Sequence, residues 1–130
     1  MLGAEGVQIG TRFALTEESS ASSVFKDYCL SLGEGDTKLL LKKLAPTRLV
    51  KNAFREAVEK AEDSGASAED LRTLLGRGRA KKGIFEGDLE EGELEIGQVS
   101  AIISRRQSVA EVMDELVAAY QRAAKKDYLF

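Results

Sequence analysis

The chain has 130 residues, a formal charge of -3, 43% hydrophobic and 32% charged residues, the composition of one soluble globular unit rather than a disordered tail. It contains no histidine and one cysteine, which removes the commonest near-neutral general base, the commonest transition-metal ligand, an internal disulfide and any thiolate metal cluster. Net acidity argues against a nucleic-acid partner, and no apolar run approaches the ~20 residues of a membrane span, so no membrane partner is expected. Met1-Leu2-Gly3-Ala4-Glu5-Gly6 lacks the basic start and apolar stretch of a secretory signal, so the expected location is cytoplasmic. Nothing in the composition sets an oligomeric state.

In chain order, Val7, Ile9 and Phe13 alternate with Gln8 and Arg12, which predicts a strand over 6–13, interrupted or ended by Gly10-Thr11. Thr16-Glu17-Glu18-Ser19-Ser20 offers capping side chains ahead of a helix near 21–32, ended by Gly33-Glu34-Gly35-Asp36. Two short apolar stretches, 37–44 and 48–50, flank Ala45-Pro46-Thr47 and predict paired strands, with the only proline in their turn. Asn52 is placed to cap a helix to about residue 63. Ser67-Ala68-Glu69-Asp70 starts a shorter one that Gly76 stops.

Six glycines fall within 76–97, and Glu86-Gly87-Asp88-Leu89-Glu90-Glu91-Gly92-Glu93 is too acidic and glycine-rich for a regular element, so a structured loop is expected. Gly97-Gln98 opens an apolar helical stretch over 99–103. Ser108 with Glu111 forms a capping-box signature for a helix over 108–124, with Val109, Val112, Met113, Leu116, Val117 and Tyr120 on one face. The whole pattern contains one strong core strand beside several amphipathic helices. A lone strand leaves its backbone groups unpaired, an arrangement a self-sufficient domain rarely adopts.

Several residues invite a chemical reading, each beside a plainer one. Gly10 has no Cβ, so a phosphate could approach its backbone and meet the N–H groups around Gly10 and Thr11 and the Thr11 hydroxyl. On spacing alone, strand–Gly–Thr is common and usually means a tight turn. Cys29 groups with Phe25 and Leu32 at helical spacing, as a small buried hydrophobe rather than a nucleophile. The basic run Arg77-Gly78-Arg79-Ala80-Lys81-Lys82 lacks interleaved aromatics and reads as internally paired or solvated rather than as a phosphate patch. Asp88, Glu90 and Glu91 read as loop carboxylates. Arg48 and Lys51 could bind an acidic substrate tail or be exposed surface charges, and Tyr120 reads as core.

The run Gly3-Ala4-Glu5-Gly6-Val7-Gln8-Ile9-Gly10-Thr11-Arg12-Phe13 followed by Thr16-Glu17-Glu18-Ser19 resembles the last barrel strand of nitronate monooxygenases. The related FMN-dependent enoyl-acyl-carrier-protein reductases share it. Arg48-Leu49-Val50-Lys51-Asn52, Gly83, Glu86-Gly87-Asp88, Gly92 and Gly97-Gln98 follow in family order, so the resemblance runs from Gly3 to about Ala119.

The resemblance implies an α/β fold: the C-terminal piece of a (β/α)8 TIM barrel, comprising the last barrel strand and outer helices, with a small, mostly helical inserted domain. On that scheme residues 1–35 hold the strand and following helix, 36–76 part of the inserted substrate-side domain, and 77–130 the return segment and C-terminal helices. Gln8, Ile9, Gly10 and Thr11 correspond to the segment holding the FMN phosphate, and Gln98 to a glutamine near the flavin. The family's catalytic histidine would lie upstream, so no catalytic residue and no metal ligand is assigned here. Met1 falls where the family has the end of a barrel helix, which reads as an internal methionine. Ala21-Ser22-Ser23 replaces the usual histidine-proline pair. The implied activity is that of a fragment of an FMN-dependent oxidoreductase acting on a small molecule, an alkyl nitronate, and inactive in isolation. The alternatives are an enoyl-thioester reductase fragment and a non-catalytic helical interaction module.

Overall fold

The computed structural model describes residues 4–124, so the reading of Met1 and the Gly3 end of the first motif lie outside the described residues. In chain order the elements are α1 (Thr11–Ala14), α2 (Ser23–Leu30), β1 (Thr37–Leu40), β2 (Thr47–Val50), α3 (Ala53–Asp63), α4 (Ala68–Leu75), a π-helical turn (Lys81–Phe85), a 3-10 turn (Gln98–Ile102) and α5 (Val109–Ala124). This is an α/β arrangement with a small sheet.

The expected hairpin is present. β1 and β2 pair antiparallel with Thr37 opposite Val50 and Leu40 opposite Thr47. The other edge of β2 is met by the 94–96 segment: Val50 N–H donates to the Leu94 carbonyl at 2.9 Å, Ile96 N–H to the Arg48 carbonyl at 3.4 Å, and Leu49 bridges Glu95. The glycine-rich return loop is thereby ordered by backbone pairing that its own composition does not announce.

The helices with local caps start where the sequence places them. The Asn52 side chain accepts from Arg55 N–H, opening α3. Ser67 and Asp70 form a reciprocal capping box at α4, and Ser108 and Glu111 exchange equivalent bonds at α5. The start of α2 differs from expectation. Ser22 caps it, accepting from Phe25 N–H, while the Thr16 hydroxyl donates back to the Phe13 carbonyl and the Ser19 hydroxyl accepts from Ala21 N–H. Glu18 accepts Val109 N–H at 3.0 Å and so caps α5 instead, 91 residues away. The first turn of α5 has backbone donors to satisfy, and a carboxylate there also suits the helix dipole. Buried Lys26 donates to the Glu17 and Ser19 carbonyls at 3.2 and 2.7 Å, which holds the 16–21 loop in place for that contact.

The strand expected over 6–13 is not formed. Residues 4–10 belong to no ladder, and Ala14 N–H donates to the Gly10 carbonyl at 2.9 Å, closing a helical turn over the second half of the motif. A strand is made by its partner's donors and acceptors, and none of the described residues pairs with this segment. Val7 is 82% exposed, so the alternation does not face a core.

Two apolar clusters form the interior. One joins Leu15, Phe25, Cys29, Val50, Leu94 and Ile103; the other draws on Leu40, Leu41, Leu49, Phe54, Val58 and Leu71, all between residues 40 and 71. Cys29 is fully buried, and burial pushes its thiol up to about 12, in keeping with a packing role. The apolar face of α5 is only partly covered: Val112 is buried, whereas Met113, Val117 and Tyr120 are exposed. Tyr120 therefore does not occupy a core position among the described residues. No helix among these residues is long and apolar enough to cross a membrane.

Candidate functional site

The first-motif residues converge on one cleft. Gln8, Ile9, Gly10, Thr11 and Arg12 line a space of about 480 Å³ closed on the other side by Val99, Ile102, Ile103 and Leu116. The bonds of the α1 turn begin at Ala14 N–H and Leu15 N–H, which leaves the N–H groups of residues 11–13 outside the helical ladder. A Cβ added at Gly10 would meet no atom within 4 Å, so its side of the cleft is open to an approaching group.

Thr11 joins this segment to the Gly97-Gln98 pair. Gly97 N–H donates to the Thr11 hydroxyl oxygen at 3.0 Å, and a Cβ on Gly97 would stand 2.5 Å from that oxygen. Only glycine permits the approach. Because the hydroxyl accepts this bond, its own proton is free to be donated to an acceptor in the cleft. Gln98 sits one residue on, exposed at the start of the 3-10 turn; it does not line this cleft, so the structure brings four of the five expected cofactor residues together and places the fifth beside them.

Arg12 anchors the segment rather than lending a free charge. Its guanidinium donates to Gln107 and to Glu115, the latter at 2.8 Å, tying residue 12 to α5. These partners and the Arg105–Glu115 pair at 3.1 Å hold the Glu115 carboxyl below the usual carboxylate range, the Gln107 hydrogen bond contributing most.

A second cleft of about 400 Å³ adjoins the first and shares Thr11 with it; its other lining residues are Ala14, Arg48, Glu95, Ile96 and Gly97. Of the two basic residues singled out near the hairpin, Arg48 is half-buried on β2 and faces this cleft. Lys51 is exposed, and its carbonyl accepts from the Tyr28 hydroxyl at 2.6 Å.

The remaining motif residues are structural. Asn52 donates through its amide to the Leu89 and Gly92 carbonyls at 3.0 and 2.8 Å while capping α3, so it binds the return loop to the helix start. Asp88 accepts from Glu90 and Glu91 N–H groups and pairs with Lys82 at 2.9 Å, contacts that hold its carboxyl below the ordinary range. Apart from the exposed Arg77, the charges of the basic run are internally paired. Arg79 donates to the Leu74, Leu75 and Glu91 carbonyls and stacks 4.5 Å from the Phe54 ring centre, and Lys81 pairs with Glu86. Glu93 carried no signal in the sequence beyond being one of several loop acids. It is buried, and that burial, with Glu95 nearby, pushes its carboxyl up to about 7.

A model of the nitronate monooxygenase family matches residues 1–119. A probable nitronate monooxygenase of Bacillus subtilis (strain 168) is 31% identical over 116 residues, a match covering 88% of this chain and 33% of that protein. The structure of FabK from Thermotoga maritima superposes with a TM-score of 0.79 at 28% identity, covering 95% of this chain and 39% of that one; a single-site mutant of the same protein gives 0.75 at 25%, covering 95% and 37%. The chain thus spans about a third of the length of this curated relative.

Proposed function

The chain belongs to the nitronate monooxygenase family, and from that premise we propose that it is the phosphate-holding part of an FMN-dependent oxidoreductase whose substrate is an alkyl nitronate. Its architecture is then the C-terminal piece of a (β/α)8 barrel, with residues 36–76 as part of an inserted domain on the substrate side. The observation that carries this reading is the Thr11–Gly97 contact: two motifs that match the family, 86 residues apart, meet at a hydrogen bond beside an open cleft.

The residues fit the phosphate end of FMN. The N–H groups of residues 11–13 and the free Thr11 proton supply donors, Gly10 leaves the approach unobstructed, and Gln8 and Ile9 continue the wall. Gln98, beside Gly97, is assigned to the flavin ring. FMN, when bound, would supply the redox chemistry for oxidative denitrification of the nitronate, with oxygen as the terminal electron acceptor. What this chain does is bind and orient; no proton-transfer role is assigned to its residues.

The test is an FMN titration of the chain by flavin fluorescence. Binding is expected to be weak, to be lost in Gly10→Val, and to fall in Thr11→Ala by about 1.5–3 kcal/mol, the worth of a hydrogen bond to a charged group. Gly10→Val should unfold like the wild type, because its side chain meets open space. Wild-type FMN affinity in Gly10→Val would overturn the site assignment. To fix the substrate, a chimera carrying the remaining two-thirds of the Bacillus relative is supplied with propyl nitronate and oxygen, or with an enoyl-thioester and reduced nicotinamide. Nitronate turnover is the expected result, and turnover of the thioester alone would move the protein to the reductase reading.

A further inference from the structure

We propose that the cleft between residues 11–14 and 95–97 binds a compact planar monoanion, a nitronate or carboxylate group, on the guanidinium of Arg48. The inference rests on the flavoenzyme reading for nitronate as the natural ligand, and it names the residue that would hold the substrate's charged end.

The argument begins with how arginines are partnered here. Four other arginines are half-buried among the described residues, and each reaches a carboxylate: Arg12 with Glu115 at 2.8 Å, Arg55 with Glu59 at 2.8 Å, Arg79 with Glu91 at 3.6 Å and Arg106 with Asp27 at 2.6 Å. Arg48 is half-buried too, yet among the described residues no carboxylate lies within 4 Å of it. Among the described residues its guanidinium meets only the Thr37 carbonyl at 3.4 Å and the Thr37 hydroxyl at 3.3 Å, both long for a charged donor. Withdrawing a cation from water is unfavourable unless an anion compensates, so this position is set up for a counter-charge the described residues do not supply.

The shape of the donor selects the ligand. A guanidinium presents a rigid planar fork, which matches two oxygens on one trigonal atom; nitronate and carboxylate share that geometry. Glu95, on the same wall, disfavours multiply charged anions by repulsion. Ala14 and Ile96 offer apolar surface for a short alkyl chain. Thr11 lines both this cleft and the proposed phosphate cleft, so the anion would lie next to the flavin-binding segment without competing for the same donors. Arg48 is held firmly for this role: it is in the β1–β2 ladder opposite Leu39, and its carbonyl accepts from Ile96 N–H.

The experiment is an NMR titration of the isotope-labelled chain with propyl nitronate, propanoate and inorganic phosphate, reading the Arg48 side-chain N–H and the Gly97 amide. Both planar monoanions are expected to shift these signals saturably, and phosphate at pH 8 to bind more weakly. Arg48→Gln should abolish the response and Arg48→Lys should leave a partial one. Glu95→Gln should tighten binding by about two- to fivefold, the effect of removing one nearby like charge in near-water dielectric. Unchanged Gly97 shifts in Arg48→Gln, phosphate binding as well as propanoate, or weaker binding in Glu95→Gln would overturn the proposal. FMN is titrated in parallel. Anion binding at Arg48 without any FMN binding at Gly10 would leave this site standing and remove the flavin reading, whereas FMN binding without an anion response would remove only this inference.

Discussion

The backbones of Gly83 and Gly92 cross in contact. A Cβ on Gly92 would collide with the Cα of Gly83 and the carbonyl oxygen of Asp88 and stand 2.7 Å from the Gly83 nitrogen; one on Gly83 would stand 3.0 Å from the Gly92 Cα. The glycines that mark 76–97 as a loop therefore also let that loop fold flat onto itself, with the buried Leu94 and Ile96 delivered to the edge of β2.

Gly92→Ala is expected to destabilise the chain by about 1–3 kcal/mol or more, because the obstructing atoms are backbone and cannot swing aside. Gly83→Ala should cost less, since its nearest obstacle is the flexible end of the Leu94 side chain at 2.7 Å. Gly6→Ala is the control, with nothing within 4 Å of the added carbon. Urea unfolding midpoints compare the three, and equal midpoints for Gly92→Ala and Gly6→Ala would show that the crossing does not exist in solution.

Asn52 makes a different kind of joint. Replacing it with Ala removes the α3 cap, worth about 1 kcal/mol, and leaves two carbonyls of the return loop without their donor. Asn52→Asp retains an oxygen for the cap but offers no amide to Leu89 and Gly92, and it sets a negative charge against both carbonyls. The aspartate variant should therefore fail to restore wild-type stability, although aspartate caps isolated helices well. Thermal melts showing full rescue by Asp would mean the loop contacts contribute nothing.

Glu93 sets a pH dependence. Its folded-state carboxyl lies near 7 against an unfolded value of 4.5, raised first by burial and then by Glu95, with Arg79 pulling the other way. Between those values the folded chain holds a proton that the unfolded chain has released, so stability contributed below pH 4.5 is lost as pH rises towards 7. The upper bound is about 3 kcal/mol from one group shifted this far. Glu93→Gln should flatten the fall between pH 5 and 7 in chemical denaturation, leaving the acid-side loss from Glu59 and Asp88, whose carboxyls are held low by their partners. A wild-type chain whose stability rises steadily from pH 5 to 7 would contradict the assignment.

What the sequence by itself determined are features decided within a few residues. Asn52 with Arg55, Ser67 with Asp70, and Ser108 with Glu111 close caps over three residues, and the Pro46 turn lets two short β-forming stretches pair. Local backbone geometry admits few alternatives at such separations, so residue type and spacing suffice. The Gln8–Thr11 run offered a glycine and a hydroxyl, but on spacing alone it read first as a tight turn, and its assignment to the FMN phosphate rests on the resemblance to the family.

Only the tertiary structure decided which distant segments meet. Thr11 reaches Gly97 across 86 residues, Glu18 caps α5 across 91, and Arg12 pairs with Glu115 across 103. The expected strand at 6–13 fell for the same reason: a strand depends on a partner elsewhere in the molecule, and alternation along one segment cannot supply it. In the sequence Arg48 stands out no more than Lys51 beside it, and Glu93 looks like its many acidic neighbours. One becomes a half-buried cation with no carboxylate within 4 Å among the described residues, and the other a buried acid, because β2, the return loop and the turn after Gly97 pack together; burial and counter-charge are properties of that packing rather than of residue type.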